Sequence, residues 1–398
     1  MHANYLERNI SKTIINALGQ DKNILLLGPR QTGKTTLVKN ITHDRYLNLM
    51  DPDLRQRYES NSGLLIAELK ALSKELSYQP LIIIDEIQKV PKLADCIQLL
   101  IDDKVAKFIL TGSSARRLTN LLPGRVIKFI LRPLAINEIT KLNIPLEQIL
   151  TNGLLPGVVT HSSNTMELGS YVSLYLEEEV RKEALVRNLG AFHNFLKLAC
   201  IESGGQISFR SIAQEIGVTH NTVAEYYKIL QDCMLIEAIM PITKSYTRRK
   251  LTKHPKYIIF DLGVRRVGAL EVAPLSTMQI GKVFEQFVGL ELVKIVEANF
   301  FSSLHYWRDH SGVEVDYIIF YDGQYTPIEV KWTSKPNLND AKHILKFQAE
   351  YQNAACGYIV CNAPFTMEIT ENIVALPWQK LHGIKLNLPI IPTMAPKT

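Results

Sequence analysis

The sequence predicts an α/β protein of several domains: a doubly wound parallel sheet first, then a helical middle, then a second α/β unit. Three observations carry this. Up to about residue 140, short and wholly apolar runs (24–27, 81–84 and 108–110) alternate with amphipathic stretches, the pattern of parallel strands buried on both faces. From 141 to about 245 the periodicity is mostly helical. From about 255 onward, β-branched and aromatic strand-like runs mix with helices again.

Composition narrows the class. A chain of 398 residues is too long for one ordinary core, and roughly two or three domains are expected. With 46% hydrophobic and 21% charged residues it is globular rather than disordered. The formal net charge of +6 is compatible with nucleic acid or an acidic surface and demands neither. Cys96, Cys200, Cys233, Cys356 and Cys361 are scattered without a CxxC pair, so neither a disulfide framework nor a zinc site is indicated. The opening Met-His-Ala-Asn-Tyr-Leu-Glu-Arg lacks the apolar stretch of a secretory signal, and no apolar run approaches the roughly 20 residues that span a bilayer. A cytoplasmic protein with no membrane partner is the expectation.

The first unit carries the most specific motif. Asn23-Ile-Leu-Leu-Leu leads into Gly28-Pro29-Arg30-Gln31-Thr32-Gly33-Lys34-Thr35-Thr36 and then Leu37-Val-Lys-Asn-Ile. This is strand, G-x-x-x-x-G-K-T, helix, the context a phosphate-binding loop requires. Its glycines let the backbone wrap closely, so that N–H groups and the helix N-terminus face the phosphates of ATP. Lys34 would contact the β- and γ-phosphates, and Thr35 would offer its hydroxyl to Mg2+.

Leu81-Ile-Ile-Ile-Asp85-Glu86 supplies the second half. Asp85 would hold magnesium through water, and Glu86 would orient and polarise the attacking water. Two adjacent acids ending a buried strand are costly without a partner ion. In Phe108-Ile-Leu-Thr111-Gly112-Ser113-Ser114, Thr111 either senses the γ-phosphate or closes a strand-end turn. Arg125, in Leu-Pro-Gly-Arg-Val, is either a charge-stabilising arginine acting in cis or on a neighbouring subunit, or a surface residue.

The order of these elements resembles that of the AAA+ ATPases. More narrowly, the chain resembles the prokaryotic AAA-type ATPases joined to a C-terminal domain of unknown function. Gly-Pro-Arg-Gln-Thr-Gly-Lys-Thr-Thr, Ile-Asp-Glu-Ile-Gln, Leu-Thr-Gly-Ser-Ser, Leu-Pro-Gly-Arg-Val and Arg-Pro-Leu-Ala-Ile-Asn-Glu stand here much as in that family. The resemblance covers nearly the whole chain. It implies a P-loop ATPase domain at 1–140, a helical lid or linker at 141–195, and assembly with like subunits, since AAA+ relatives often work as rings.

At 196–250 the sequence reads as a winged helix. Ile212 and Ile216 give an apolar face, Gly217 ends one helix and Thr219 caps the next. Val223, Tyr226, Tyr227 and Leu230 continue the stripe, and Met234-Leu-Ile-Glu-Ala-Ile would form the wing strand. In a DNA reader His220, Asn221 and Thr222 would enter the major groove, although Glu225 in the same helix would repel phosphate. Such modules also contact proteins. Lys244, Arg248, Arg249, Lys250, Lys253 and Lys256 follow, either to track a phosphate backbone or as a solvated linker.

The last unit, 251–398, centres on a hairpin. Glu314-Val-Asp316-Tyr-Ile-Ile-Phe-Tyr is joined by Asp322-Gly323 to Gln324-Tyr-Thr-Pro-Ile-Glu329-Val-Lys331-Trp, and Asp-Gly between apolar runs is a strong two-residue turn signal. That turn sets Tyr321 against Gln324, Asp316 against Glu329 and Glu314 against Lys331. Asp316, Glu329 and Lys331 then share one face. Facing carboxylates need a cation between them, and Lys331 would activate the attacking water beside a metal. Glu285, on the apolar stripe of a helix with Gly281, Val288, Gly289 and Leu292, is a third acid in need of a partner. Oxygen ligands at this density suit magnesium or manganese.

Helix-Glu, strand-Asp and Glu-x-Lys together resemble the PD-(D/E)XK nuclease fold, the fold of restriction endonucleases. That resemblance implies Asp316 and Glu329 as metal ligands, Glu285 as an outer ligand and Lys331 as the catalytic lysine. Two functions remain open: an ATPase coupled to a nucleic-acid-engaging, Mg2+-dependent nuclease-like domain, or an ATP-dependent binding switch on an inactive nuclease fold. A polypeptide-remodelling ATPase ranks behind both, for want of a pore-loop aromatic pair.

Overall fold

Runs of wholly apolar residues (24–27, 81–84 and 108–110) form the middle of the first sheet. The computed structural model describes residues 5–113, 122–160, 168–169, 171–172, 188–242, 255–299 and 301–384; Arg248, Arg249 and Lys250 lie outside them. By internal contacts the chain divides into two units, of which the first comprises 1–203, 208–237 and 259–273.

The first unit runs α1 (Asn9–Gly19), β1 (Asn23–Leu27), α2 (Lys34–Lys39), β2 (Arg45–Asn48), α3 (Pro52–Ser60), α4 (Gly63–Leu76), β3 (Leu81–Asp85), α5 (Leu93–Asp102), β4 (Lys107–Gly112) and β5 (Val126–Ile130). The five strands lie in the order β2-β3-β4-β1-β5, every pair parallel. Alternate side chains enter separate cores. Leu25, Leu27, Ile82, Ile84, Phe108 and Leu110 join one; Ile24, Leu26, Ile83 and Ile109 join the other. The all-apolar strands thus have both faces covered, as their sequence predicts.

Further along are α6 (Leu146–Asn152), α7 (Pro156–Thr160), α8 (Leu189–Ile201), α9 (Phe209–Ile216), α10 (His220–Asp232) and α11 (Leu262–Gly268). The expected helix–turn–helix is present. Gly217, at φ 69°, ends α9 in the left-handed conformation that favours glycine. The Thr219 hydroxyl accepts from Thr222 N at 3.2 Å to cap α10. Phe192 and Phe195 meet Tyr226, and Phe195 also meets Tyr227, with ring centres 5.0–5.1 Å apart, which fixes α8 against α10.

The second unit comprises 204–207, 238–258 and 274–398. Its elements are β6 (Ile236–Pro241) and β7 (Lys256–Ile259), both shared with the first unit at one end, then α12 (Thr277–Glu297), β8 (Ser302–Arg308), β9 (Glu314–Tyr321), β10 (Gln324–Lys331), α13 (Lys342–Glu350), β11 (Gly357–Cys361), β12 (Met367–Thr370) and β13 (Ile373–Pro377). They build a mixed eight-stranded sheet, β12-β13-β11-β10-β9-β8-β6-β7. The strand expected to form a wing is β6, and here it pairs parallel with β8 through Met240↔His305 and Pro241↔Tyr306. No helix among the described residues is long and apolar enough to cross a membrane.

Candidate functional site

Because all strands of the first sheet are parallel, their C-terminal ends share one edge. The 28–36 loop, Asp85 and Thr111 meet there. Gly33 has φ 92°, a backbone that few side chains tolerate. At Gly28 a Cβ would stand 2.3 Å from Leu131 O, so only glycine lets the loop pass the end of β5. Lys34 Nζ donates to Gly28 O at 2.8 Å and Pro29 O at 2.9 Å, which holds the ammonium inside the loop. Pro29 and Thr32 are buried, Arg30 is half-buried, and Gln31, Thr35 and Thr36 are exposed.

Asp85 is the hub. Thr35 Oγ1 and Tyr46 Oη each donate to Asp85 Oδ2 at 2.7 Å, and Thr111 Oγ1 donates to Asp85 Oδ1. The same Thr111 oxygen accepts from Glu86 N at 3.0 Å. A carboxylate offers about four acceptor positions, so three hydroxyls leave room for one more donor, such as a metal-bound water. Burial first, and then the Asp85 carboxylate, raise the Tyr46 phenol well above its ordinary value, so Tyr46 remains a donor. Glu86 has φ 60°, and its Oε2 accepts from Gln88 Nε2 and, at 3.3 Å, from Ser113 Oγ. The Thr35 hydroxyl and Asp85 carboxylate are a hard oxygen pair, which fits Mg2+.

Two features here escaped sequence reasoning. Tyr46 reaches Asp85 from the neighbouring strand, which only the β2–β3 pairing reveals. Arg8, buried, donates to Thr32 O and Arg132 O at 2.7 Å each and pairs with Glu138 at 3.0 Å. Fixing the Thr32 carbonyl turns the Gly33 N–H to the opposite side, because the peptide is planar and trans. Arg8 is therefore a brace behind the loop, and Glu138 supplies its countercharge.

Arg125 is a correction. Its guanidinium makes two bonds to Asp102, at 2.8 and 2.9 Å, and its carbonyl accepts from Asn23 Nδ2. Arg125 precedes β5, and Asn23↔Val126 pair at the start of β1. It therefore lies at the edge opposite the loop, about 13 Å or more away along five strand residues, and cannot serve this site in cis.

In the second unit the predicted hairpin register holds from Gln324↔Tyr321 to Ile328↔Tyr317. Asp322 and Gly323 take φ 46° and 77°, as a type I′ turn demands. Beyond that the pairing departs from expectation. Asp316 Oδ2 accepts from Val330 N at 2.8 Å, the ladder to β10 ends before the expected Asp316↔Glu329 and Glu314↔Lys331 pairs, and on its other side Glu314 pairs with Arg308 of β8. Glu329, 1% exposed, receives Lys331 Nζ at 2.7 Å and His343 Nδ1 at 3.0 Å, both on Oε1. Its Oε2 is buried without a hydrogen-bond partner.

The carboxylates that converge are Glu285, Glu314 and Asp316, with oxygens within 4.8 Å of one another. Glu329 is thus replaced in the trio by Glu314. Desolvation first pushes both Glu285 and Asp316 up to about 7, followed by repulsion from Asp316 at Glu285 and from Glu329 at Asp316. α12 comes close enough to hold the trio because position 289 is glycine. A Cβ there would meet Tyr317 Oη at 2.4 Å, and that hydroxyl donates to Glu285 O at 2.9 Å.

An all-oxygen donor set suits Mg2+ or Mn2+. Among these oxygens, however, stands the Lys256 ammonium, 3.0 Å from Glu285 and in closer contact with Glu314. As folded, the cluster does not fit a metal ion. Lys256 is also a correction: the sequence groups it with exposed basic neighbours, but it is 3% exposed. His220 and Asn221 are exposed at the start of α10, with Thr222 half-buried in the cap.

Three family models match successive stretches of the chain. Residues 20–140 match an AAA domain, residues 144–273 a domain of unknown function (DUF8612), and residues 280–381 another (DUF4143). The first region is therefore an AAA-type P-loop module. Uncharacterized proteins of Mycobacterium bovis and Mycobacterium tuberculosis, Mb2031c and Rv2008c, are each 25% identical over 388 residues, covering 93% of this chain and 83% of theirs. Among solved structures, C. elegans PCH-2 is 16% identical at TM-score 0.24, over 56% of this chain and 66% of that one. The replication initiator DnaA bound to AMPPCP and single-stranded DNA is 12% identical at TM-score 0.28, over 55% and 86%. The chain thus spans just under two thirds of the PCH-2 chain. Scores this low inform neither mechanism nor ligand.

Proposed function

We propose that the AAA domain of residues 20–140 binds and hydrolyses Mg2+–ATP, and that its nucleotide state controls how the remainder of the chain engages nucleic acid. The observation that carries the first half is the convergence of Thr35, Tyr46 and Thr111 on Asp85, beside a loop that holds Lys34. Lys34 exchanges the Gly28 and Pro29 carbonyls for the β- and γ-phosphates. Thr35 and Asp85 hold the ion, and Tyr46 and Thr111 keep Asp85 from turning. When bound, magnesium neutralises charge on the phosphate oxygens. Glu86 orients the attacking water and accepts its proton. Hydrolysis is expected to vanish with EDTA, and Thr35→Val is expected to raise the half-saturating Mg2+ about tenfold, the worth of one good ligand contact. Hydrolysis indifferent to both would sink the reading.

Nucleic-acid engagement draws support from the helix–turn–helix, which presents His220 and Asn221 to solvent. A winged-helix module at 196–250, and a nuclease-like domain at 251–398, belong to the same proposal. A second reading, metal-dependent cleavage of the polynucleotide, is favoured by Glu329, whose Oε1 is held by Lys331 while its Oε2 has no partner. Incubation with DNA and RNA, Mg2+ or Mn2+, and ATP separates the two. Cleavage lost in Lys331→Ala would select the nuclease. Intact polynucleotide throughout, with ATP hydrolysis retained, would select the binding switch.

A further inference from the structure

The carboxylates of the second unit already have a cation. Lys256 opens β7, next to β6 in the sheet, and its side chain is buried at the trio. Its Nζ bonds Glu285 Oε1 and Glu314 Oε1 and lies 5.3 and 5.8 Å from the ring centres of Tyr306 and Tyr317. Two carboxylates and two aromatic faces form a site built for an ammonium. Hydrogen bonds and ring faces bind it there, so this is no stray surface lysine folded inward.

An ammonium and a divalent ion cannot share this place. Magnesium needs oxygens at about 2.0–2.1 Å on all sides, and the three carboxylate oxygens lie within 4.8 Å of one another, a space the ammonium occupies at 3.0 Å from Glu285. Nor does one lysine balance the cluster. Glu285, Glu314, Asp316 and Glu329 face Lys256, Lys331 and, at 3.5 Å from Glu314, Arg308. With every acid ionised, negative charge at the cluster would still exceed positive charge.

We propose that Lys256 is the resident cation of the Glu285–Glu314–Asp316 cluster and that it excludes a divalent metal until it is withdrawn. The proposal rests on reading the cluster as a metal-type carboxylate centre. It makes that centre latent: whatever draws Lys256 out of the sheet opens the place for an ion.

Manganese alone is the probe. The full chain, without nucleotide and carrying Thr35→Val to quiet the nucleotide site, is titrated with Mn2+ and free ion is followed by electron paramagnetic resonance. Lys256→Met and Lys256→Gln are compared with the parent, the glutamine keeping a donor to the carboxylates if methionine fails to fold. Both lysine variants are expected to gain one Mn2+ site about tenfold or more tighter than the parent, the effect of removing one nearby like charge. Adding Asp316→Asn should abolish the gain. Mn2+ binding that is equally tight with and without the lysine overturns the exclusion but leaves the metal centre standing. No binding in any variant that retains its circular dichroism overturns both.

Discussion

Glu86→Gln is expected to lower ATP turnover by about 10²–10³-fold, the usual cost of losing a positioned general base, while ATP binding survives. The separation follows from where Glu86 stands. Its backbone N–H is fixed by Thr111, its φ of 60° turns the side chain off the strand line, and its carboxylate rests against Gln88 and Ser113. None of these contacts belongs to the loop that takes the phosphates. Glutamine keeps the size and an accepting oxygen, so the local bonds persist and only basicity is lost. Phosphate release at saturating ATP gives the turnover, and a fluorescent ATP analogue gives the dissociation constant. A fall of less than about threefold in turnover would place the base elsewhere.

What the sequence could and could not show divides along a physical line. Features encoded in contiguous residues were legible: the loop through its spacing, the doubly wound sheet through strands apolar on both faces, and the hairpin register through Asp322-Gly323. Features that depend on which strand lies beside which were not. Tyr46 reaches Asp85 because β2 pairs with β3, and Glu314 joins Glu285 because β9 packs against α12. Lys256 shows the limit most clearly. Five basic neighbours make it look solvated, and only the reach of its side chain to Glu285 and Glu314 buries it.

The cis role for Arg125 failed for a reason the sequence did contain. An arginine just before a strand that runs parallel to β1 must sit at the edge opposite a loop just after β1. Strand direction would have excluded it in cis once parallel pairing was assumed. Arg8 had no such clue, since a brace on the loop's outer carbonyl needs reach and charge but no fixed spacing. The family matches add a name to the first region and leave the others as domains of unknown function, so chemistry there must be argued from the side chains.

The largest stability effect outside the nucleotide site is expected at Glu291, on the buried face of α12. It is 0% exposed, yet Lys294 Nζ lies at 2.6 Å and His382 Nε2 at 2.9 Å. Burial by itself would push its pKa up; Lys294 and His382 outweigh that and bring it down to about 2 from 4.5. A folded-state value below the unfolded one gives stability that is present above about pH 4.5 and is lost as pH falls towards 2. Glu291→Gln is therefore expected to cost about 3 kcal/mol at neutral pH, as when one member of a buried pair is removed. The difference should shrink steadily below about pH 4.5, because there the unfolded chain's carboxylate takes up a proton while the folded one, held lower, still keeps its charge. Urea unfolding followed by circular dichroism at pH 7, 4 and 2.5 reads this directly. A cost that stays the same at all three values would mean that Glu291 acts through shape and hydrogen bonding, and that its charge contributes nothing to holding α12 against the 378–383 turn.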